Sequence, residues 1–191
     1  MGLRKSEHIS EIIVHPNNSN IIWAASQGPL WSPGGERGLY KSTDGGENWK
    51  KVLGGGKWTG VTDIHMDPRN PDRIYAATWQ RHRTVAALMG GGPESGLHRS
   101  EDGGETWTEL KSGLPNYAGK IGFTLSPQKP DVLYASIELE KRNGAVYKSE
   151  DRGSSWKKMS DLSLGYGTGP HYYQELFASG SKTHLTLPTK A

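Results

Sequence analysis

Ser42-Thr43-Asp44-Gly45-Gly46-Glu47-Asn48-Trp49 recurs in variant form further along the chain. Its counterparts are Ser100-Glu101-Asp102-Gly103-Gly104-Glu105-Thr106-Trp107 and Ser149-Glu150-Asp151-Arg152-Gly153-Ser154-Ser155-Trp156. All three read Ser-x-Asp-x-Gly-x-x-Trp, spaced by roughly 50 residues. The residue types describe a tight turn. Ser and Asp are short acceptors for backbone N–H groups. Gly permits the positive φ such a turn needs. Trp supplies a large ring whose N–H wants a partner.

A short strand pattern precedes each octapeptide, at 38–41, 96–99 and 145–148. Further upstream a second element repeats: Val14-His15-Pro16-Asn17-Asn18, Met66-Asp67-Pro68-Arg69-Asn70 and Leu125-Ser126-Pro127-Gln128-Lys129. Each continues into an apolar run, so the element reads strand, Pro/Asn turn, strand. The first unit then has strands A to D at 9–14, 21–25, 38–41 and 49–53. The second has them at 61–66, 73–78, 96–99 and 107–110. The third has them at 120–125, 132–137, 145–148 and 156–159. Four strands per repeat of this length is a propeller blade. The expected fold is all-β: a partial β-propeller of three four-stranded antiparallel blades plus the start of a fourth. The propeller fills 1–178, with blades at about 8–53, 60–110 and 120–159 and the next starting at 171. Strand A is expected innermost, and no helix beyond short turns is expected. Residues 179–191 lose the strand–turn–strand pattern and are expected to be a non-native or disordered tail.

These motifs resemble the Asp-box (bacterial neuraminidase repeat) propellers. Met66-Asp67-Pro68-Arg69-Asn70-Pro71, Thr78-Trp79-Gln80-Arg81 and Gly90-Gly91-Gly92-Pro93-Glu94-Ser95-Gly96-Leu97 are similar to the bacterial sortilin-like proteins often labelled glycosyl hydrolases. The resemblance covers roughly residues 2 to 177. It implies a segment of a larger, extracellular or periplasmic bacterial protein, whose export signal is expected upstream. The remaining blades of the parent chain are implied partners.

Composition narrows the chemistry. The 191 residues carry Lys+Arg 23 against Asp+Glu 20, a net charge of +3, with no cysteine. The charges are scattered, and Arg81-His82-Arg83 is the compact basic cluster, which argues against nucleic acid. Absent cysteine removes disulfides, thiolate metal sites and Cys nucleophiles. No stretch approaches the ~18 apolar residues of a membrane span. The histidines show no paired metal spacing, and Gly90-Gly91-Gly92-Pro93 lacks the Lys-Ser/Thr of a phosphate loop. No catalytic residue, metal ligand or cofactor is assigned.

The repeated aspartates read as scaffold. Ser42, Asp44, Gly46 and Trp49, with Ser100, Asp102, Gly104 and Trp107 and with Ser149, Asp151, Gly153 and Trp156, form one turn per blade. Such aspartates are spaced around a ring, whereas paired acid catalysis needs two carboxyls within about 5–10 Å. In an up-and-down blade the A–B and C–D turns share one face. The longer and more variable connections share the other: 26–37, 80–95 and 139–144 between B and C, and 54–60, 111–119 and 160–171 between D and A. Variable loops over a repeated scaffold carry specificity. Trp31, Trp58, Arg81, His82 and Arg83 lie on them, with Trp79 next to the 80–95 connection, and these six are the candidate ligand-binding residues; aromatic and arginine side chains on one surface suit glycan or peptide recognition. Two functions stay open. One is a non-catalytic scaffold binding a protein, peptide or glycan. The other is part of a sialidase-like or xyloglucan hydrolase-like enzyme. Against the second, the loop-face acids Glu36, Glu94, Glu138, Glu140 and Asp161 form no recognisable pair.

Overall fold

In a computed structural model, the structure describes residues 2–140, 143–163, 176–178 and 185–186. The first sheet is a meander of β1 (Ile9–Val14), β2 (Ile22–Ser26), β3 (Gly38–Ser42) and β4 (Lys50–Leu53). The second begins with β5 (Thr59–Asp67) and β6 (Asn70–Gln80). A small hairpin, β7 (His82–Arg83) with β8 (Leu88–Met89), then interrupts it before β9 (Gly96–Ser100) and β10 (Thr108–Leu110) complete it. The third is β11 (Ile121–Leu125), β12 (Leu133–Glu138), β13 (Asn143–Ser149) and β14 (Lys157–Ser163). Every pairing is antiparallel. The protein is all-β, with no helix among the described residues, and its sheets are propeller blades.

The A strands β1, β5 and β11 touch in succession, which sets them at the inner edge. Equivalent bulges interrupt β1 between Ile9 and Glu11 and β5 between Val61 and Asp63. A bulge re-aims the side chain that follows it, here Glu11 and Asp63. The connection at 80–95 contains the β7–β8 hairpin.

The core lies in the seams between blades. Trp23, Leu39, Val61, Ile64 and Ile74 fill the first seam. Tyr75, Leu97, Phe123, Leu133 and Trp156 fill the second. Each fully buried side chain of this size contributes roughly 1.5–3 kcal/mol. Repeat-equivalent positions show the logic. Ile64 and Phe123 are 0% exposed, each on an A strand covered by the preceding blade, while Ile12 on β1 is 58% exposed. Trp156 is buried, whereas Trp107 and Trp49 are half-buried.

Past the third blade, β15 (Phe177–Ala178) runs beside β11 and pairs with β16 (Leu185–Thr186). The expected start of the fourth unit at 171 and the rest of 179–191 lie outside the described residues.

Candidate functional site

The three boxes are superposable hydrogen-bond circuits. In the first, Ser42 Oγ donates to Asp44 Oδ1 at 2.7 Å and accepts from the Gly46 N–H at 2.9 Å. Asp44 accepts the Asn48 backbone N–H at 2.9 Å and its side-chain amide at 2.7 Å. Thr106 and Ser155 do the same for Asp102 and Asp151 through N–H and hydroxyl. Each tryptophan donates its Nε1–H to the box glycine: Trp49 to Gly46, Trp107 to Gly104 and Trp156 to Gly153. These donors favour the ionised carboxylate. The Asn48 N–H, then the Asn48 amide and Ser42, hold Asp44 down to about 2. The Thr106 hydroxyl and N–H hold Asp102 well below the usual range. The Ser155 hydroxyl, opposed by burial and aided by the Ser155 N–H, lowers Asp151.

The box is also the clip between blades. The N–H groups of Gly45, Gly103 and Arg152 donate to Asn20, Asp72 and Asp131 of their own A–B turns, so boxes and Pro/Asn turns share a face. Trp23 of the first blade donates to the Gly103 carbonyl at 3.3 Å. Tyr75 holds the place of Trp23 in the next blade; its hydroxyl is buried and meets no hydrogen-bond partner among the described residues. There Arg99 instead reaches the Arg152 carbonyl at 2.7 Å.

The opposite face assembles the predicted aromatic and basic residues. The Arg83 guanidinium lies 5.2 Å from the Trp31 ring centroid, and Arg81 lies 4.8 Å from Trp79. His82 stacks on Trp58 at 3.7 Å. The connections are stitched together through their backbones: Arg81 N–H to the Trp58 carbonyl, Arg83 N–H to Leu30, Gly34 N–H to Lys57. Accessibility is uneven. Trp31 is 58% exposed and offers a ring face. Trp58, Arg81, His82 and Arg83 are half-buried. Trp79 is only 3% exposed and donates Nε1–H to the Gly90 carbonyl, so it supports the site from beneath. The hairpin tip at Val85 and the Tyr117 ring extend the exposed surface.

Three features escaped the sequence reading. Arg37 is 4% exposed and bonds the carbonyls of Gln27 at 2.6 Å, Gly34 at 3.1 Å, Ser32 at 3.2 Å and Pro29. It lies 5.8 Å from the Trp58 ring and fixes the 26–37 connection from inside. Burial, with the nearby Arg81 charge, lowers its pKa. Its signal was weak: an arginine directly before a strand, after a run of Gly and Pro. Asp67 is fully buried on the turn face, held by Arg69 at 2.9 Å and Arg73 at 3.0 Å. The third feature is Glu11, Asp63 and His65 on the A strands, whose ligand-type atoms lie within 4.8 Å of one another. Glu11 accepts the Ile64 N–H at 3.1 Å, Asp63 the Phe123 N–H at 3.1 Å, and His65 Nε2 sits 2.8 Å from the Phe123 carbonyl. The trio thereby ties the three inner strands together. Burial, partly offset by the Ile64 N–H, raises the Glu11 pKa.

The loop-face acids are also held by backbone groups. Glu94 accepts the Gly56 N–H at 3.0 Å and the Thr59 hydroxyl. Glu36 accepts the Lys5 N–H at 2.6 Å, and Glu138 the Lys120 N–H at 3.2 Å.

Comparison with known proteins agrees with this architecture. The Sortilin-Vps10 family model, described as sortilin, neurotensin receptor 3, matches residues 37–166. A probable oligoxyloglucan-reducing end-specific xyloglucanase of Neosartorya fischeri is 23% identical over 94% of this chain and 24% of its own length. The corresponding enzyme of Emericella nidulans is 22% identical over 89% of this chain and 20% of its own length. The chain thus spans less than a quarter of these curated relatives. Among solved structures, the GH74 xyloglucanase from Xanthomonas campestris superposes with a TM-score of 0.65 at 17% identity, covering 91% of this chain and 26% of the enzyme. An ancestral GH74 enzyme gives 0.60 at 20% identity, covering 80% and 18%. At these identities the structural likeness carries the fold.

Proposed function

The chain belongs to the Sortilin-Vps10 family, and on that premise we propose that it is a β-propeller scaffold of an extracellular protein that binds a glycan through the face opposite its boxes. One observation carries the reading: Trp31, Trp58, Arg81, His82 and Arg83, from separate connections, converge there in stacked pairs. A tryptophan face accepts the apolar C–H face of a sugar ring, and arginine supplies directional donors around it. The curated relatives, named as xyloglucanases, favour a glycan over a peptide. Among the described residues, no helix is long and apolar enough to cross a membrane.

Those relatives favour the alternative of a glycoside hydrolase. Its cleavage step needs paired carboxyls about 5–10 Å apart with the acid's pKa raised, whereas the ligand atoms of Glu11 and Asp63 lie within 4.8 Å of each other. Both carboxylates also already hold N–H groups of the next blade. Affinity electrophoresis against a panel of soluble polysaccharides, paired with a reducing-end assay, separates the two readings. The scaffold reading predicts retarded migration without new reducing ends. Release of reducing ends that disappears in Glu11→Gln, with the fold intact, would establish the hydrolase instead.

A further inference from the structure

The inner edge of the blades departs from its own repeat. Strands β1 and β5 each carry a bulge, and the residue after it is an acid, Glu11 or Asp63. The pairing register puts Gly122 of β11 at the same position: Glu11 faces Ala25, Asp63 faces Ala77, and Gly122 faces Ser136. There β11 pairs with β12 without interruption. A blade of this kind therefore forms without the bulge and without the acid. A bulge that the scaffold does not require serves to aim a side chain.

Both acids are aimed alike. Glu11 Oε2 accepts the Ile64 N–H and Asp63 Oδ2 the Phe123 N–H, each at 3.1 Å, so one oxygen of each carboxylate is anchored on the following blade. Asp63 Oδ1 then lies 3.2 Å from His65 Nε2. The Phe123 ring meets the His65 imidazole edge-on at 4.7 Å, and the Phe123 carbonyl lies 2.8 Å from Nε2. Nε2 thus faces two oxygens, with positive charge drawn to the space between them. Glu11 brings a third ligand-type atom, and the set lies within 4.8 Å. The 3.2 Å separation is close to about 3.4 Å, the edge of a tetrahedron with metal–ligand bonds of about 2.0–2.2 Å. Carboxylates anchored through their second oxygen, and an imidazole fixed by its neighbours, are the outer supports that metal ligands need. The three side chains line a cavity of about 370 Å³ together with Ser10, Gln27 and Lys120, which leaves room for solvent to complete a coordination shell. The Lys120 charge acts on Glu138.

We propose that Glu11, Asp63 and His65 form a binding site for one divalent transition-metal cation, zinc by its donor set, which joins the first two blades at their inner edge. Two carboxylates balance the charge of the ion. The imidazole nitrogen selects a borderline metal over calcium, which takes about six to eight oxygens. Binding moves the imidazole proton to Nδ1 and frees the Nε2 lone pair for the metal. The site stands apart from the glycan reading, because its three ligands lie on strands β1 and β5 and not on the loop-face connections.

The test is calorimetric titration of the full chain, without an affinity tag and stripped with a chelator, against zinc and calcium chlorides, with thermal melting of the same samples. Zinc is expected to bind one ion per chain with a Kd below about 0.1 mM, at least about tenfold tighter than calcium. It should raise the melting temperature, since it binds the folded state. Glu11→Gln and Asp63→Asn each keep an oxygen for the Ile64 and Phe123 N–H groups, so both should melt cooperatively without metal. Each should nonetheless weaken zinc binding at least about tenfold, as should His65→Gln. His15→Gln, in the turn after β1, should bind zinc as the unmodified protein does. Zinc binding weaker than about 0.1 mM would overturn the proposal. So would zinc binding that survives both carboxylate substitutions or is lost in His15→Gln. Calcium taken as tightly as zinc would overturn it too, by making His65 a bystander.

Discussion

The turn face and the loop face cap opposite ends of the same three sheets, yet they answer to different physics. On the turn face every blade repeats one circuit: Ser to Asp, Asp to the N–H and side chain four residues on, Trp to Gly. Each acceptor there is filled by the protein, so the face locks hairpins and clips blades together. The loop face repeats nothing. Its connections differ in length, one grows its own hairpin, and aromatic rings are stacked against cations rather than sealed into the core. A side chain's apparent functional chemistry is thus a poor guide until its partners are known. The aspartates look reactive and are saturated, while Trp31 looks like core and is exposed.

The contrast breaks most easily through the tryptophans. Trp156→Ala removes a ring only 6% exposed from the second seam and should cost about 3–5 kcal/mol of unfolding free energy. Trp31→Ala should stay within about 0.5 kcal/mol of the unmodified protein. Urea titration of both variants measures the difference. Comparable losses would mean that the loop-face ring is packing rather than platform.

A second test uses acid. Asp44 is held at about 2 against an ordinary value of 3.8, so its contribution to stability is fully present above 3.8 and is lost as pH falls through about 2. Asp102 and Asp151 are depressed in the same direction. Glu11 and Glu138, raised mainly by burial, act oppositely: their contribution is present below 4.5 and is lost as pH rises through their elevated values. The urea midpoint should therefore drop steeply between about pH 4 and pH 2. Asp44→Asn should flatten the drop. A slope unchanged by that substitution would detach the box from the acid transition.

The blade architecture could be read from the sequence because its signals are local. The Pro/Asn turns, the box spacing and the alternation of strands each lie within a dozen or so residues, and β1 is found where the pattern places it. Which connections meet across blades was also legible, since an up-and-down meander dictates it. Burial within the cluster was not: Trp79 and Trp31 look alike in sequence and differ because one lies on strand β6 beneath Gly90. Arg37 escaped because its partners are backbone carbonyls of its own irregular connection, and the Glu11–Asp63–His65 ties because theirs are backbone groups on the next blade. Periodicity carries no information about such contacts.

A smaller effect probes where the repeat departs from itself. Arg152 occupies the left-handed position held by Gly45 and Gly103, at φ 61. That backbone costs a non-glycine residue about 1–2 kcal/mol. Its side chain recovers part of this through Asp131 at 2.8 Å, an exposed ion pair worth about 0–1 kcal/mol. Arg152→Gly should therefore stabilise the protein by up to about 1 kcal/mol. A fall in the urea midpoint would show the ion pair to be the stronger of the two.

The central claim is that structure resides on one face and recognition on the other. Its most direct test is parallel calorimetric titration and thermal melting of Asp102→Asn and Trp31→Ala with one soluble oligosaccharide that the unmodified protein retains. The account predicts that Asp102→Asn melts earlier but binds as the unmodified protein does, and that Trp31→Ala melts unchanged but binds at least about tenfold more weakly. Loss of binding in Asp102→Asn at temperatures where it remains folded, with Trp31→Ala binding normally, would contradict it.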